Sequence, residues 1–168
     1  MNFLNAIPFN TLLWLVPFFF MLHNMEEAPL MKKWTERLAV KIKLLESRRQ
    51  FIIAVAILTL ISFLLTYFGL RVMSEHAGHL LILSILMTMT FNVFFPHVLL
   101  ALWFRMYNPG LVTALFLILP FSIYMFQRAL NEILIAQNEF WLLLGLAPLI
   151  MIAAIFSSLT LGKQFTNI

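Results

Sequence analysis

Cysteine is absent from this 168-residue chain. Disulfide staples and thiol chemistry are thereby excluded, and the redox compartment leaves no trace. Charge is nearly as scarce. Only 11% of residues are Asp, Glu, Lys or Arg, while 62% are hydrophobic. A soluble domain carries about 25% charged residues, so a water-exposed surface cannot be built from this inventory. What is abundant is phenylalanine, 18 residues in all, with runs such as Phe18-Phe19-Phe20. These features predict an all-α transmembrane bundle, and the length suits one integral membrane domain over residues 1–168.

Crossing about 30 Å of hydrocarbon takes roughly 20 apolar residues in a helix. Five segments fit: 7–25, 51–70, 80–106, 111–130 and 141–161. The segment 111–130 is the shortest as a pure apolar run and reaches span length if Gln127 and Arg128 snorkel. No basic residue precedes the first run and no small-x-small site follows it, which marks a retained first span and not a cleaved leader. Of 11 Lys and Arg, seven lie between Lys32 and Arg49. In such a chain this is a topology signal, not a nucleic-acid patch. Placing that loop inside puts nine basic residues in the cytoplasm and leaves Arg71 and Arg128 outside. The N-terminus is then outside and the C-terminus inside. Within residues 30–49, Met31, Trp34, Leu38, Ile42 and Leu45 recur at helical spacing between cations. The pattern predicts an interfacial amphipathic helix, with Trp34 at the headgroup layer.

Ionisable residues inside spans are costly and so are candidate functional groups. His23, Glu26 and Glu27 fall within about 100° of one another on a helix face at the end of span 1. An imidazole with a carboxylate three or four residues on can chelate a divalent metal or run a proton relay. Two glutamates at a helix C-terminus oppose the macrodipole, which argues against mere decoration. In span 3, Pro96 releases the carbonyl of Asn92 one turn from His97. Because spans 1 and 3 run in the same direction, His23 and His97 reach similar depths on the cytoplasmic half. Arg105 precedes the turn Asn108-Pro109-Gly110 and is placed to face the two carboxylates as a counter-ion or to hold an anionic substrate group. His76 and His79 read as a solvated outer loop. Ser157, Ser158 and Thr160 read as cavity-lining or packing hydroxyls. Prolines at 17, 96, 120 and 148 predict kinked spans. No P-loop, dinucleotide fold or serine triad is present, and four histidines are too few for a multi-histidine diiron centre.

The stretch His23-x-x-Glu26-Glu27, joined by Asn92-x4-His97 and Arg105-x-Tyr107-x-Pro109-Gly110, resembles the HXXEE family of small, mostly bacterial integral membrane proteins. The resemblance covers nearly the whole chain. It implies the membrane fold, a bacterial cytoplasmic membrane and the importance of His23, Glu26, Glu27 and His97, and it brings no activity with it.

The residues themselves suggest a metal-dependent membrane enzyme, a hydrolase or an oxidase. Its site would face the cytoplasm between spans 1 and 3 and act on a hydrophobic small molecule or lipid from the bilayer. His23, His97 and Glu27 would hold zinc or iron, leaving an open position. Glu26 or Glu27 would serve as general base, and Asn92 and Arg105 would orient ligand or substrate. The alternatives are a proton-coupled transporter using the same residues, or a non-catalytic subunit or immunity-type protein.

Overall fold

A computed structural model describes residues 6–37 and 47–166. The described residues are helical with no strand. In chain order the helices are α1 (Phe9–Leu13), α2 (Leu15–Glu27), α3 (Met31–Arg37), α4 (Arg48–Arg71) and α5 (Glu75–Asn92). A kinked segment, Val93–Val98, joins α5 to α6 (Leu99–Phe104). After a turn come α7 (Leu111–Thr113), a π-helical stretch (Ala114–Ile118), α8 (Leu119–Asn131) and α9 (Gln137–Thr166).

Four of the resulting rods are long and apolar enough to cross a membrane: Arg48–Arg71, Glu75–Phe104, Leu111–Asn131 and Gln137–Thr166. The first predicted span is interrupted at Trp14, although that residue keeps helical angles of φ −65°, ψ −21°. Pro17 has no N–H to offer the Leu13 carbonyl, which accounts for the interruption. From Phe9 to Glu27 the two pieces together would rise about 28 Å.

Local signals set the helix ends. The Ser47 hydroxyl accepts from the Gln50 amide at 3.0 Å and caps α4. Arg71 occupies its last turn and Glu75 the first turn of α5, each matched to the helix dipole. α4 and α5 then cross almost backbone to backbone. A Cβ added to Gly78 would lie 2.1 Å from the Gly69 carbonyl oxygen. Such small-residue contacts let helices approach where lipid supplies no hydrophobic drive.

Pro96 sits where the third rod breaks. The Phe95–Pro96 peptide is cis and Phe95 leaves helical space at φ −133°, ψ 107°. The rod resumes through α6 and ends at Arg105, which is left-handed at φ 51°. Pro120 follows the π stretch at Ala114–Ile118, whereas Pro148 lies inside an uninterrupted α9.

The main core gathers Leu13 and Val16 of the first rod, Ile82, Leu83 and Leu86 of α5, and Met125 of α8. The outside is apolar as well. Trp103 and Phe116 are 76% and 78% exposed, as expected of lipid-facing side chains. Trp34, expected at the headgroup layer, packs against the protein. It is buried, its indole N–H donates to the Tyr107 carbonyl at 2.9 Å, and its ring meets Phe104 edge-on. A polar handle that finds a partner lets an indole bury. The rest of the predicted interfacial helix, from Leu38 to Glu46, lies outside the described residues.

Candidate metal centre

The end of α2 supplies two residues of the centre. Four residues apart, His23 and Glu27 lie about 40° from each other around the helix; Glu26 lies about 60° to the other side of His23. The two glutamates therefore take different neighbours. Glu27 turns toward the third rod, its Oε1 3.1 Å from His97 Nε2 and 3.8 Å from His23 Nε2. Glu26 turns toward the start of α7.

Asn92 and His97 are five residues apart, nearly opposite on an α-helix. The kink at Phe95, whose backbone leaves helical space at φ −133°, ψ 107°, turns the two toward each other. Asn92 Nδ2 lies 2.9 Å from His97 Nε2 and 3.4 Å from His23 Nε2. The two imidazoles meet edge to face with centroids 4.8 Å apart. Both are buried.

Glu26 explains how two carboxylates tolerate a helix C-terminus. Its oxygens accept from the amides of Gly110 and Val112, both at 3.1 Å, and Thr113 at 2.8 Å. They also accept from the hydroxyls of Thr113, at 2.6 Å, and of Tyr107. The orphan N–H groups that begin α7 thus find an anion, and the penalty at the end of α2 is offset at another helix's positive end. Burial, and then the bond to Glu26, pushes the Tyr107 phenol up to about 12.

Thr113 ties this anchor to the first imidazole, since its Oγ lies 2.9 Å from His23 Nδ1. A hydroxyl carries one proton, and the carboxylate beside it is acceptor-only. Thr113 therefore donates to Glu26, and the assigned tautomer has His23 Nδ1–H donating to Thr113. His23 Nε2 is left with its lone pair directed at Glu27 and His97. Nε2 of each imidazole and a Glu27 oxygen share one small volume, and one atom of each residue lies within 4.8 Å of the others. A divalent cation satisfies all three at once, and two histidines with one carboxylate suit zinc or iron. The His23–Glu27–His97 cluster could hold such an ion.

Gly110 closes the centre from the turn. It adopts φ +88°, and a Cβ there would stand 2.7 Å from His97 Cε1 and 2.8 Å from both Glu27 Cγ and His23 Cε1. Next to it, a cavity of about 610 Å³ opens between α2, α4, α5 and α9, with His23, Glu27 and Asn92 in its wall.

The predicted residues His23, Glu27, Asn92 and His97 are thus brought together. Glu26 adjoins the centre but faces away, both oxygens occupied. Arg105 does not join: it is exposed and pairs with neither carboxylate, because the left-handed backbone ends the helix there and Glu26 already has its donors. Of the late hydroxyls only Ser158 is both buried and in the cavity wall; Ser157 and Thr160 are exposed. The predicted solvated loop at His76 and His79 is corrected to a helix, in which His76 is exposed as expected and His79 is not. Helix α5 already begins at Glu75, which leaves His79 buried with Nε2 2.6 Å from Asn10 Oδ1, and His76 Nε2 2.9 Å from Glu139. Thr113 had no assigned part from sequence, Tyr107 appeared only within the family pattern, and Gly110 only as a turn residue. The available signal was a helix start after Asn108-Pro109-Gly110 with no capping side chain of its own.

Fold and site together define a helical protein with rods long and apolar enough to cross a membrane and a buried histidine–carboxylate cluster. The chain belongs to the family described as "protein of unknown function with HXXEE motif", whose model matches residues 14–125. That stretch contains every residue of the centre. The chain is also similar to the uncharacterized protein YrkK of Bacillus subtilis (strain 168). The two are 26% identical over 138 residues, covering 80% of this chain and 87% of that protein. No solved structure matches.

Proposed function

We propose that this protein is a metal-dependent membrane enzyme acting on a hydrophobic small molecule or lipid. His23, Glu27 and His97 bind one zinc or iron ion, and an open position faces the cavity. The observation that carries the reading is the convergence of these three side chains, at 3.1 Å and 3.8 Å, against the wall of a 610 Å³ cavity. Three protein ligands leave room for water or substrate, the arrangement of catalytic and not of closed structural sites. Asn92, in contact with both imidazoles, orients what enters; whether the reaction is hydrolysis or oxidation is set by the metal. With α1 and α2 as one span, the chain crosses the bilayer five times, N-terminus outside. The site then lies in the cytoplasmic half, on the side of the basic loop.

Elemental analysis of purified protein tests the proposal. Wild type is expected to carry one equivalent of metal, and His23→Ala, Glu27→Ala and His97→Ala to lose it. His79→Ala, at the other end of the bundle, is expected to keep it. Wild-type protein purified from metal-supplemented cells without bound ion would overturn the reading. Solute uptake that depends on Glu27 in such metal-free protein would mark it as a transporter.

A further inference from the structure

The shape and lining of the cavity narrow the substrate class, an inference that rests on the metal reading only for the position of the head group. On α4 the lining residues run from Phe51 through Leu58 and Ile61 to Leu65, a rise of about 21 Å. On α5 they run back from Asn92 to Leu81, about 16 Å. Because α4 and α5 are antiparallel, Leu65 and Leu81 mark one end and the histidine–carboxylate cluster the other. The volume lies within the usual ligand range of about 300–1,000 Å³, and the shape is elongated.

Polarity is concentrated at the cluster end, in His23, Asn24, Glu27, Asn92 and Asn108. Along the walls, the hydroxyls of Ser84, Thr88 and Ser158 are bonded back to carbonyls of their own helices. Ser62, buried without a partner, can turn to its own helix in the same manner. The walls therefore present hydrocarbon. No Lys or Arg lines the cavity among the described residues. Phosphate heads are recognised by such residues, so a phospholipid head finds no counter-charge here. A divalent ion on two neutral imidazoles and one carboxylate keeps one net positive charge, which a compact oxygen group complements.

We infer that the cavity holds a single-chain amphiphile, a long-chain acid or its ester, with its oxygen head at the His23–Glu27–His97 cluster and its chain between α4, α5 and α9. Native mass spectrometry of delipidated protein, metal-loaded and metal-stripped, tests this with octanoic, dodecanoic and hexadecanoic acids and a two-chain phosphatidylglycerol. One hexadecanoate is expected to bind at least about tenfold more tightly than octanoate. Ile61→Trp and Ala154→Trp, each filling the channel partway along, are expected to abolish that preference while metal content stays unchanged. Binding indifferent to chain length, preference surviving in both tryptophan variants, or equal competition by phosphatidylglycerol would overturn the inference. If no metal binds yet the chain-length preference persists, the enzyme reading fails and the amphiphile site stands.

Discussion

Glu26→Gln and Glu27→Gln exchange the same oxygen for the same amide one residue apart, yet the structure assigns them opposite consequences. Glu26 accepts five hydrogen bonds, three from amides and two from hydroxyls. Bonds to a charged acceptor contribute about 1.5–3 kcal/mol each, but they share one carboxylate that is partly open to water. A discounted net of about 2–4 kcal/mol is the sensible scale. Glutamine replaces one acceptor oxygen with a donor, so at least one donor at the start of α7 faces another donor. For a chain of this size that corresponds to a fall in apparent Tm of about 5–12 °C, read by circular dichroism in detergent. Glu27→Gln, in contrast, removes a buried charge beside His97 and should leave metal-free protein as stable as wild type or more so. Metal content should follow the reverse order, lost in Glu27→Gln and weakened about 10–100-fold in Glu26→Gln. Equal losses of stability and of metal in the two variants would refute the division of roles.

Three further outcomes are expected. Gly110→Ala places a methyl group against all three ligand residues at 2.7–2.8 Å and costs about 1–2 kcal/mol for its left-handed backbone; it should abolish metal retention by elemental analysis and lower the Tm. Thr113→Val keeps the side-chain shape but frees the tautomer of His23, so metal affinity by competition with a chelator should fall about 10–100-fold, with a stability loss of about 1 kcal/mol. Gly78→Ala forces α4 and α5 apart, since its Cβ would sit 2.1 Å from the Gly69 oxygen; the Tm should fall by several degrees while the protein that remains folded keeps its metal.

The membrane character was legible because it rests on composition, and the rods that follow Ser47 fall close to the predicted apolar runs. The histidine–carboxylate cluster was legible for a different reason. Glu27 sits one turn after His23, and the Asn92–His97 spacing places both beside a proline. What sequence could not supply was the direction each carboxylate takes. Glu26 and Glu27 are equivalent in pattern, and only the approach of the Gly110 turn separates an anchor from a ligand. Arg105 misled because charge complementarity was weighed without the backbone: three amides and two hydroxyls satisfy Glu26 and leave the guanidinium outside. His79 was misplaced because the boundary of α5 lies five residues earlier than the apolar run that revealed it.

The grip of Glu26 on three amides, of Gly110, Val112 and Thr113, has a bearing on traffic. Lipid offers no substitute acceptor for them, so prising α2 from α7 inside a bilayer would strand them. That flank of the pocket is consequently a wall and not a door. The seams of α4 with α2 and α9 carry bonds of their own near the cluster, from Asn24 to Thr59 at 2.8 Å and from Gln50 to the Leu159 carbonyl at 2.9 Å. A hydrophobic ligand of the proposed kind would therefore enter nearer the Leu65 end.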